Sequence, residues 1–322
     1  MLLSAAAILI GLPLLFWGAD RFVVGAGATA RNLGVSPVLI GLVVVGFATS
    51  APEMLISTLA SLNGAPGLAV GNALGSNIAN LGLVLGTAIV IYPLSVHSDT
   101  VRREFRALLA ATALTLLVFL DNEVSRLDAV ALLAALGVLA VWTIVLVSRP
   151  SVSDPIRVEY AAEMPAGMPP RKATFWLAVG LVTLLGGAEL MVRGATDAAR
   201  LMGVSDLVLG VTVVAIGTSL PELAVAVTGA LKGEYGLVLG NVLGSNIFNL
   251  LAVIGIAGVI QPLSLDAGVL TLHFPLMGVL TLVVFILAYN RRAKVQLTRP
   301  VGSALLAVFL IYQGFVVWTS LN

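Results

Sequence analysis

The sequence GNALGSNIANL at residues 71–81 returns as GNVLGSNIFNL at residues 240–250, which is 169 residues further along the chain. The same offset places GFATSAPEM at residues 46–54 on AIGTSLPEL at residues 215–223, and no gap is needed. Two matched motifs at a single offset indicate a duplication. We therefore expect the chain to fold as two equivalent halves.

The composition of the chain is that of an integral membrane protein. Of its 322 residues, 59% are hydrophobic and 10% are charged, and the mean hydropathy is +1.07. Soluble domains are about 45–50% apolar and about 25% charged, so a soluble enzyme and a disordered scaffold are excluded. The net charge of +1 also gives no basic surface for nucleic acid. The expected surroundings are membrane lipids.

The residue types available for metal binding are restricted. The chain contains no cysteine, and its two histidines, His97 and His273, are far apart in the sequence. Soft transition-metal sites need thiolate or imidazole ligands. Any bound metal is therefore expected to be a hard cation held by oxygen, and the histidines are expected to be ordinary polar groups near helix ends.

Ten apolar segments are long enough to be predicted as membrane-spanning helices, each of which needs about 20 residues. The N-terminal sequence MLLSAAAILI lacks the basic region of a cleaved signal peptide, so it is expected to open the first span. Long apolar runs exclude a β-barrel, whose strands alternate between apolar and polar residues. The predicted spans cover residues 2–30, 35–61, 67–91, 104–120, 126–147, 173–201, 204–230, 236–260, 268–289 and 301–320.

A polar, proline-rich segment at residues 148–172 divides these spans into two sets of five. It is predicted to be a linker between a first repeat at residues 1–147 and a second repeat at residues 173–322. Because five is an odd number, the second repeat must enter the membrane in the opposite orientation. The predicted fold class is an all-α polytopic membrane protein with ten transmembrane helices in two inverted five-helix repeats, a plan common in secondary transporters.

The basic residues independently indicate this inversion, because cytoplasmic loops carry an excess of Lys and Arg. The loop after the third span contains Arg102, Arg103 and Arg106, whereas its counterpart after the eighth span contains Asp266 and no basic residue. The bias reverses between the acidic loop after the fourth span and its counterpart after the ninth. That counterpart contains Arg291, Arg292, Lys294 and Arg299. We therefore expect both termini outside the cell and the linker in the cytoplasm.

Two carboxylates lie inside predicted spans, where ionisable residues are costly and are functional candidates. Glu53 and Glu222 each end a Thr-Ser-x-Pro-Glu sequence, and the proline removes a backbone hydrogen bond and breaks the helix. Each segment can then offer a carboxylate, two hydroxyls and loose carbonyls to Ca²⁺, which prefers about six to eight oxygen ligands, or to Na⁺. The hydroxyl residues are Thr49, Ser50, Thr218 and Ser219.

The repeated GSN sequences supply further candidate ligands. Ser76 and Asn80 are four residues apart and share one helix face, and Ser245 and Asn249 repeat the spacing. Polar and small residues also hold helices together in membranes. A role in packing alone is therefore the alternative for these four residues.

Another pair of acidic residues is matched at the same offset. Asp20 in the first span falls on Glu189 in the sixth. They either line an ion path or pair with the arginines beside them, Arg21 and Arg193.

The two motif pairs resemble the α-repeats of the calcium/cation antiporter superfamily, in particular its prokaryotic sodium/calcium exchanger-like branch. The resemblance covers the whole chain. It implies four cation sites between spans 2, 3, 7 and 8, with Glu53 and Glu222 as central Ca²⁺ ligands that also serve Na⁺ sites. It further implies that spans 1 and 6 slide over a rigid remainder to alternate access.

The remaining ligand roles are also implied by the resemblance. The carbonyls and hydroxyls of Thr49 and Thr218 would complete the Ca²⁺ site, and the carbonyls of Gly46 and Ala215 would join the Na⁺ sites. The hydroxyls of those Na⁺ sites would come from Ser50, Ser76, Ser219 and Ser245.

One position departs from part of the superfamily. Some archaeal and K⁺-dependent members carry Asp where this chain has Asn249, so the middle site has an amide on both sides, from Asn80 and Asn249. This weakens the case for K⁺ dependence and leaves the Na⁺:Ca²⁺ ratio open.

The leading functional hypothesis is an electrogenic Na⁺/Ca²⁺ antiporter that extrudes Ca²⁺ across the cell membrane by alternating access. H⁺/Ca²⁺ exchange through the same carboxylates is the alternative on this fold, and a cation channel is the alternative from another class. No catalytic constellation supports an enzyme. We expect no bound cofactor, Ca²⁺ and Na⁺ as transported ions, and a monomer as the functional unit.

Overall fold

The computed structural model describes residues 2–34, 40–64, 66–96, 99–148, 168–201, 215–266, 268–289 and 295–321, and most of them are helical. Their α-helices are α1 (Leu2–Leu33), α2 (Gly46–Thr49), α3 (Ala51–Leu62), α4 (Pro66–Ala79), α5 (Leu85–Ile91), α6 (Asp99–Phe119), α7 (Arg126–Ser148), α8 (Pro170–Leu201), α9 (Ala215–Thr218), α10 (Leu220–Leu231), α11 (Tyr235–Phe248), α12 (Ile254–Ile260), α13 (Phe274–Ala288) and α14 (Arg299–Leu321).

Four π-helical segments, in which each hydrogen bond spans one residue more than in an α-helix, adjoin these α-helices. They are π1 (Gly41–Val45), π2 (Asn80–Val84), π3 (Asn249–Val253) and π4 (Val269–His273). π2 joins α4 to α5, and π3 joins α11 to α12 at the equivalent place in the second half.

Four short strands pair between the two halves of the chain. They are β1 (Leu94–Val96), β2 (Glu123–Val124), β3 (Leu263–Ser264) and β4 (Val295–Leu297). β1 is antiparallel to β4, and β2 is antiparallel to β3. Since β1 and β3 begin 169 residues apart, each half contributes this strand to a partner strand of the other half.

Seven described helices are long and apolar enough to cross a membrane, and the bent pair at residues 41–49 and 51–62 would make an eighth. α6 falls outside this count because five of its first eight residues are charged. The seventh predicted span, residues 204–230, lies partly outside the described residues, which resume at residue 215. The protein is therefore a multi-pass helical membrane protein, and the total of ten spans stays a prediction.

Some observed helix bounds differ from the predicted ones. The second predicted span, residues 35–61, is described from residue 40 and is divided at Ser50. α6 begins at Asp99, five residues before its predicted start, because hydropathy marks only the apolar part of a helix that continues into polar surroundings. α8 begins at Pro170 instead of residue 173, and proline is favoured in the first turn of a helix.

The helical stretches at the centre of the molecule are Pro66–Ile91, which runs from α4 to α5, and Tyr235–Ile260, which runs from α11 to α12. In these two stretches 72% and 78% of the most apolar window is buried, against 17–33% in the other five candidate spans. Both stretches contain a GSN sequence, so the fold places the repeated motifs in its interior.

α1 and α8 pack against each other in antiparallel orientation through glycines spaced seven residues apart. An ideal Cβ on Gly18 would lie 2.4 Å from the backbone nitrogen of Leu184, and one on Gly187 would lie 2.5 Å from that of Leu15. The offset of 169 converts the first contact into the second. The glycines of this interface are Gly11, Gly18 and Gly25 in α1 and Gly180, Gly187 and Gly194 in α8.

Two further helix contacts also join one half to the other. α14 packs on α5, where an ideal Cβ on Gly86 would lie 3.0 Å from the carbonyl oxygen of Gly302. α7 packs on α12, where an ideal Cβ on Gly255 would lie 3.2 Å from the carbonyl oxygen of Ala129. Because Gly86 and Gly255 are 169 residues apart, the fifth predicted span of each half packs on the third predicted span of the other.

Several predicted features lie outside the described residues. They include residues 149–167 of the linker, His97, and the basic residues Arg291, Arg292 and Lys294. His273 is described, and its Nδ1 lies 2.9 Å from the hydroxyl oxygen of Tyr312. This contact agrees with an ordinary polar role for His273.

Candidate functional site

The two carboxylate segments lie where helices are broken. The helical parts on either side of Ser50 meet at an angle of 48°, and Ser50 itself has φ −81° and ψ 4°. Ser219, at the equivalent break between α9 and α10, has φ −86° and ψ 2°. Each break comes two residues before a proline, Pro52 or Pro221. The predicted helix breaks are confirmed at both motifs.

Both carboxylates are fully buried immediately after these breaks. Glu53 lies in the first turn of α3 and Glu222 in the first turn of α10, each with 0% of its surface exposed. The two groups lie close enough to repel each other when both are charged. A buried charge is costly without a partner, so this arrangement requires cations or protons to balance it.

Hydroxyls from both halves of the chain surround Glu222. Its Oε1 lies 3.5 Å from the Ser50 hydroxyl and 3.4 Å from the Ser245 hydroxyl. Thr49 completes the cluster, because its hydroxyl is 3.3 Å from that of Ser245 and 3.1 Å from Oδ1 of Asn241. The Ser245 hydroxyl is also 3.4 Å from the carbonyl oxygen of Gly46, which the resemblance implies as a Na⁺ ligand.

The surroundings of Glu53 have the same composition but looser contacts. Ser76 and Thr218, the equivalents of Ser245 and Thr49, face its carboxylate. Within the described residues, neither carboxyl oxygen of Glu53 has a hydrogen-bond partner, and the hydroxyl of Ser76 has none either. The two sides of the site are therefore equivalent in sequence and different in geometry.

Two asparagines hold the backbone of the carboxylate segments. Nδ2 of Asn72 donates to the carbonyl oxygen of Glu53 at 3.2 Å, and Nδ2 of Asn241 donates to that of Glu222 at 3.4 Å. Asn72 also donates to the Ser57 hydroxyl at 3.0 Å. Neither asparagine is among the predicted site residues. Their identical spacing from the two glutamates was the signal available in the sequence.

The two predicted middle-site asparagines bond across the halves. Asn80 donates from Nδ2 to Oδ1 of Asn246 at 3.1 Å, and Asn249 donates from Nδ2 to Oδ1 of Asn77 at 3.0 Å. Among the described residues, Oδ1 of Asn80 and Oδ1 of Asn249 lack a hydrogen-bond partner. Asn80 begins π2 and Asn249 begins π3, and such segments are frequent at functional sites.

The donor set is one for hard cations. It combines two carboxylates with hydroxyl, amide and backbone carbonyl oxygens, the ligand types that Ca²⁺ takes. The described residues contain no group of three or more His, Cys, Asp or Glu that could hold a metal. Ser219 lies at its helix break with no hydrogen-bond partner for its hydroxyl among the described residues. All ten predicted site residues are buried: Glu53, Glu222, Thr49, Thr218, Ser50, Ser219, Ser76, Ser245, Asn80 and Asn249.

Asp20 and Glu189 both pair with basic residues, but in different ways. Oδ1 of Asp20 is 2.7 Å from Nζ of Lys232, which follows α10, and its Oδ2 is 3.6 Å from Nε of Arg21. Glu189 pairs with Arg193 one turn further along α8. The side chains of Asp20 and Glu189 are 37% and 59% exposed. These pairings favour the structural interpretation over an ion path, and Lys232 was not predicted to take part.

The chain was compared with known proteins. Residues 3–145 and 172–318 match the family described as sodium/calcium exchanger protein. The chain belongs to the sodium/calcium exchanger family. It is 37% identical to the inner membrane protein YrbG of Escherichia coli K12, over 99% of this chain and 98% of that protein. It is 32% identical to the sodium/calcium exchanger MaX1 of Methanosarcina acetivorans, over 87% of this chain and 89% of that protein.

A solved exchanger structure has the same fold. The sodium-calcium exchanger NCX_Mj, soaked with Na⁺ and Ca²⁺, superposes with a TM-score of 0.82 and 32% identity, over 97% of each chain. The resemblance drawn from the repeated motifs is thereby confirmed at the level of the family. As an exchanger-family member, the chain is a multi-pass membrane transporter.

Proposed function

We propose that this chain is an electrogenic Na⁺/Ca²⁺ antiporter that extrudes Ca²⁺ across the cell membrane by alternating access. The observation that carries the proposal is the pair of buried carboxylates, Glu53 and Glu222, which face hydroxyls from both halves. One Ca²⁺ or several Na⁺ would neutralise this pair, whereas an empty, doubly charged site resists enclosure in an apolar seal. MaX1 is named as a sodium/calcium exchanger, which supports these two ions as the substrates.

Each candidate residue takes a role in the proposed site. Glu53 and Glu222 are the central Ca²⁺ ligands and contribute to the Na⁺ sites, and Asn80 and Asn249 provide the middle site. The surrounding hydroxyls belong to Thr49, Thr218, Ser50, Ser219, Ser76 and Ser245. No resident cofactor is needed, because the cations are the cargo.

The proposed architecture is two inverted five-helix repeats, residues 1–147 and 173–322, with ten spans and a cytoplasmic linker at residues 148–172. Its support is the antiparallel contact of α1 with α8 and the strands exchanged between halves. Both termini are then outside the cell, and the cell membrane is the location, as the name of the inner membrane protein YrbG suggests. The working unit is a monomer in lipid.

The moving part in this proposal is the pair α1 and α8, which slides over the remaining helices. Its interface is made of glycines against backbone, so the two helices stay together as one body while their outer faces shift. If one net charge crosses per cycle, a membrane potential of 100 mV contributes about 2.3 kcal/mol.

H⁺/Ca²⁺ exchange is the second candidate on the same fold. The observation that favours it is that both carboxyl oxygens of Glu53 lack hydrogen-bond partners among the described residues. A carboxyl group in that position could carry a proton in place of Na⁺.

The experiment is radioactive Ca²⁺ uptake into proteoliposomes loaded with Na⁺ and diluted into Na⁺-free buffer. A K⁺-loaded sample and an imposed pH gradient are run in parallel. We expect uptake only with the Na⁺ gradient. Uptake driven by the pH gradient alone would establish the second candidate, and no uptake in any sample would show that Ca²⁺ is not the substrate.

Neutral variants test the carboxylates directly. Glu53→Gln and Glu222→Gln should each lower exchange on the order of 100-fold or more, because removing one partner of a buried charge interaction costs about 3–5 kcal/mol. Glu123→Gln, at an exposed position of β2, is the matched control and should leave exchange unchanged. Full activity in both site variants would remove Glu53 and Glu222 from the mechanism.

A further inference from the structure

Asn77, one position after Ser76, uses both ends of its side-chain amide. Nδ2 donates to the backbone carbonyl oxygen of Asn246 at 3.2 Å, and it also lies 3.4 Å from the sulfur of Met277 in α13. Oδ1 accepts from Nδ2 of Asn249 at 3.0 Å. A backbone carbonyl can only accept a hydrogen bond. The Asn246 carbonyl therefore fixes which end of the Asn77 amide points toward it.

This first orientation determines a second one. Since the oxygen of the Asn77 amide faces Asn249, Asn249 must present its NH₂ group to Asn77 and turn its own oxygen away. That oxygen is buried and has no hydrogen-bond partner among the described residues. A buried acceptor left unpaired is unfavourable, so its position indicates an electropositive partner that is a ligand and not part of the protein.

The second half repeats the pattern with one bond fewer. Asn246 accepts at Oδ1 from Nδ2 of Asn80 at 3.1 Å, and Oδ1 of Asn80 is left without a partner among the described residues. Nδ2 of Asn246 also lacks a partner there. The orientation of Asn249 is therefore fixed more firmly than that of Asn80.

We infer that Asn77 is a positioning residue, which holds the Asn249 amide with its oxygen toward the transported cation. The inference rests on the proposed function, and it adds a reason why an amide can serve as a dependable cation ligand at residue 249. An amide offers one oxygen and one NH₂ group, and only the oxygen can bind a cation. The wrong orientation would place two N–H donors against a positive charge.

The test uses the fact that a carboxylate has an oxygen at both ends and needs no such orientation. Four full-length proteins are compared: wild type, Asn77→Ala, Asn249→Asp, and the variant with both substitutions. Asn77→Ala should raise the apparent KM for Ca²⁺ about tenfold with a maximal rate within about twofold of wild type. In the Asn249→Asp background the same substitution should change the KM less than about twofold.

A residue that only fills space in the core gives a different result. Its replacement would lower thermal stability and the maximal rate equally in both backgrounds, and an equal KM effect in both backgrounds overturns the inference. So does an unchanged KM in Asn77→Ala. If the alanine variant does not fold, Asn77→Ser keeps a hydroxyl donor for the Asn246 carbonyl and is expected to behave in the same way.

Two readouts separate this inference from the proposed function. Equilibrium binding of radioactive Ca²⁺ in detergent reports on variants that bind but do not transport. A wild type that neither binds nor exchanges Ca²⁺ would overturn the proposed function together with the inference. A wild type that exchanges Ca²⁺ while the two Asn77 effects are equal would overturn the inference alone.

Discussion

The inner pair of helices, α4 and α11, and the outer pair, α1 and α8, both bring equivalent segments of the two halves together, but with opposite chemistry. The inner helices are joined by amide hydrogen bonds from Asn77, and from Asn80 at the end of α4, to Asn246. The outer helices touch through glycines against backbone, as at Gly18 and Gly187.

The difference separates a rigid part of the molecule from a part that can move. A directional hydrogen bond between buried groups is lost when its partners shift by an ångström or two. Packing of small residues in a membrane has no such directional requirement. A helix pair built on glycines can therefore stay in contact while it moves as a unit, whereas the amide-bonded centre has to keep its geometry.

The largest effect is expected from a side chain placed inside the outer interface. Gly187→Val should separate α1 from α8, because its Cβ would lie 2.5 Å from the Leu15 nitrogen and 2.9 Å from the Gly11 carbonyl oxygen. Overpacking costs about 1–3 kcal/mol, and exchange should fall at least tenfold. Thermal unfolding in detergent and Ca²⁺ uptake measure the two effects.

The matched control is the neighbouring residue. An ideal Cβ on Gly186 has no atom within 4 Å, so Gly186→Val should leave both stability and uptake close to wild type. Equal damage from the two valines would show that helix propensity, and not the contact with α1, explains the loss.

A smaller and reversible effect is expected from cross-links, which the absence of native cysteine makes specific. An ideal Cβ on Gly194 lies 3.1 Å from the Cβ of Ala7, close to the distance of about 3.5–4.5 Å in a disulfide. The disulfide in Ala7→Cys/Gly194→Cys should leave exchange within about twofold, because α1 and α8 move together.

The opposing cross-link ties α1 to the stationary part. A short bifunctional thiol reagent on Asp20→Cys/Lys232→Cys should lower exchange several-fold, and an unbridged sample provides the reference. Inhibition by the α1–α8 disulfide together with normal exchange in the bridged Asp20/Lys232 variant would reverse the assignment of moving and stationary parts.

The sequence predicts those parts of the fold and the site that depend on residue type. Proline and buried charge mark the breaks before Glu53 and Glu222, and the matched motifs mark the two halves. The π segments at Asn80 and Asn249 could not be predicted, because one additional residue in a turn changes no residue type. The strand pairs were missed because two or three residues, such as Glu123–Val124, are too short to show a period.

The glycine interface lies between these two cases. The seven-residue spacing of Gly11, Gly18 and Gly25 is visible in the sequence, and its repetition in the second half could have marked both helices as packing surfaces. Only the structure shows that the two stripes face each other. Likewise, the pairing of Asp20 with Lys232 depends on a turn between helices whose position no local pattern reveals.

The smallest effect is expected at that ion pair, which exists on one side of the molecule only. Lys232 contacts Asp20 on α1, whereas the residue 169 positions before Lys232 is Asn63. Glu189, the equivalent of Asp20, pairs within its own helix with Arg193. The Asp20–Lys232 pair therefore connects the outer helices to the centre in the conformation described, and it has no ionic equivalent at Asn63.

Asp20→Asn should release this connection and raise the exchange rate modestly. A partly exposed ion pair contributes about 0.2–1 kcal/mol, so the increase should be at most about fivefold, and it should disappear when choline chloride screens the charges. Glu189→Gln is the control, and its exchange rate should not change at any ionic strength because its ion pair stays within α8. A rate for Asp20→Asn that equals wild type at low ionic strength would mean that the ion pair does not restrain the movement of α1, and that the glycine interface and the amide-bonded centre alone set the rate.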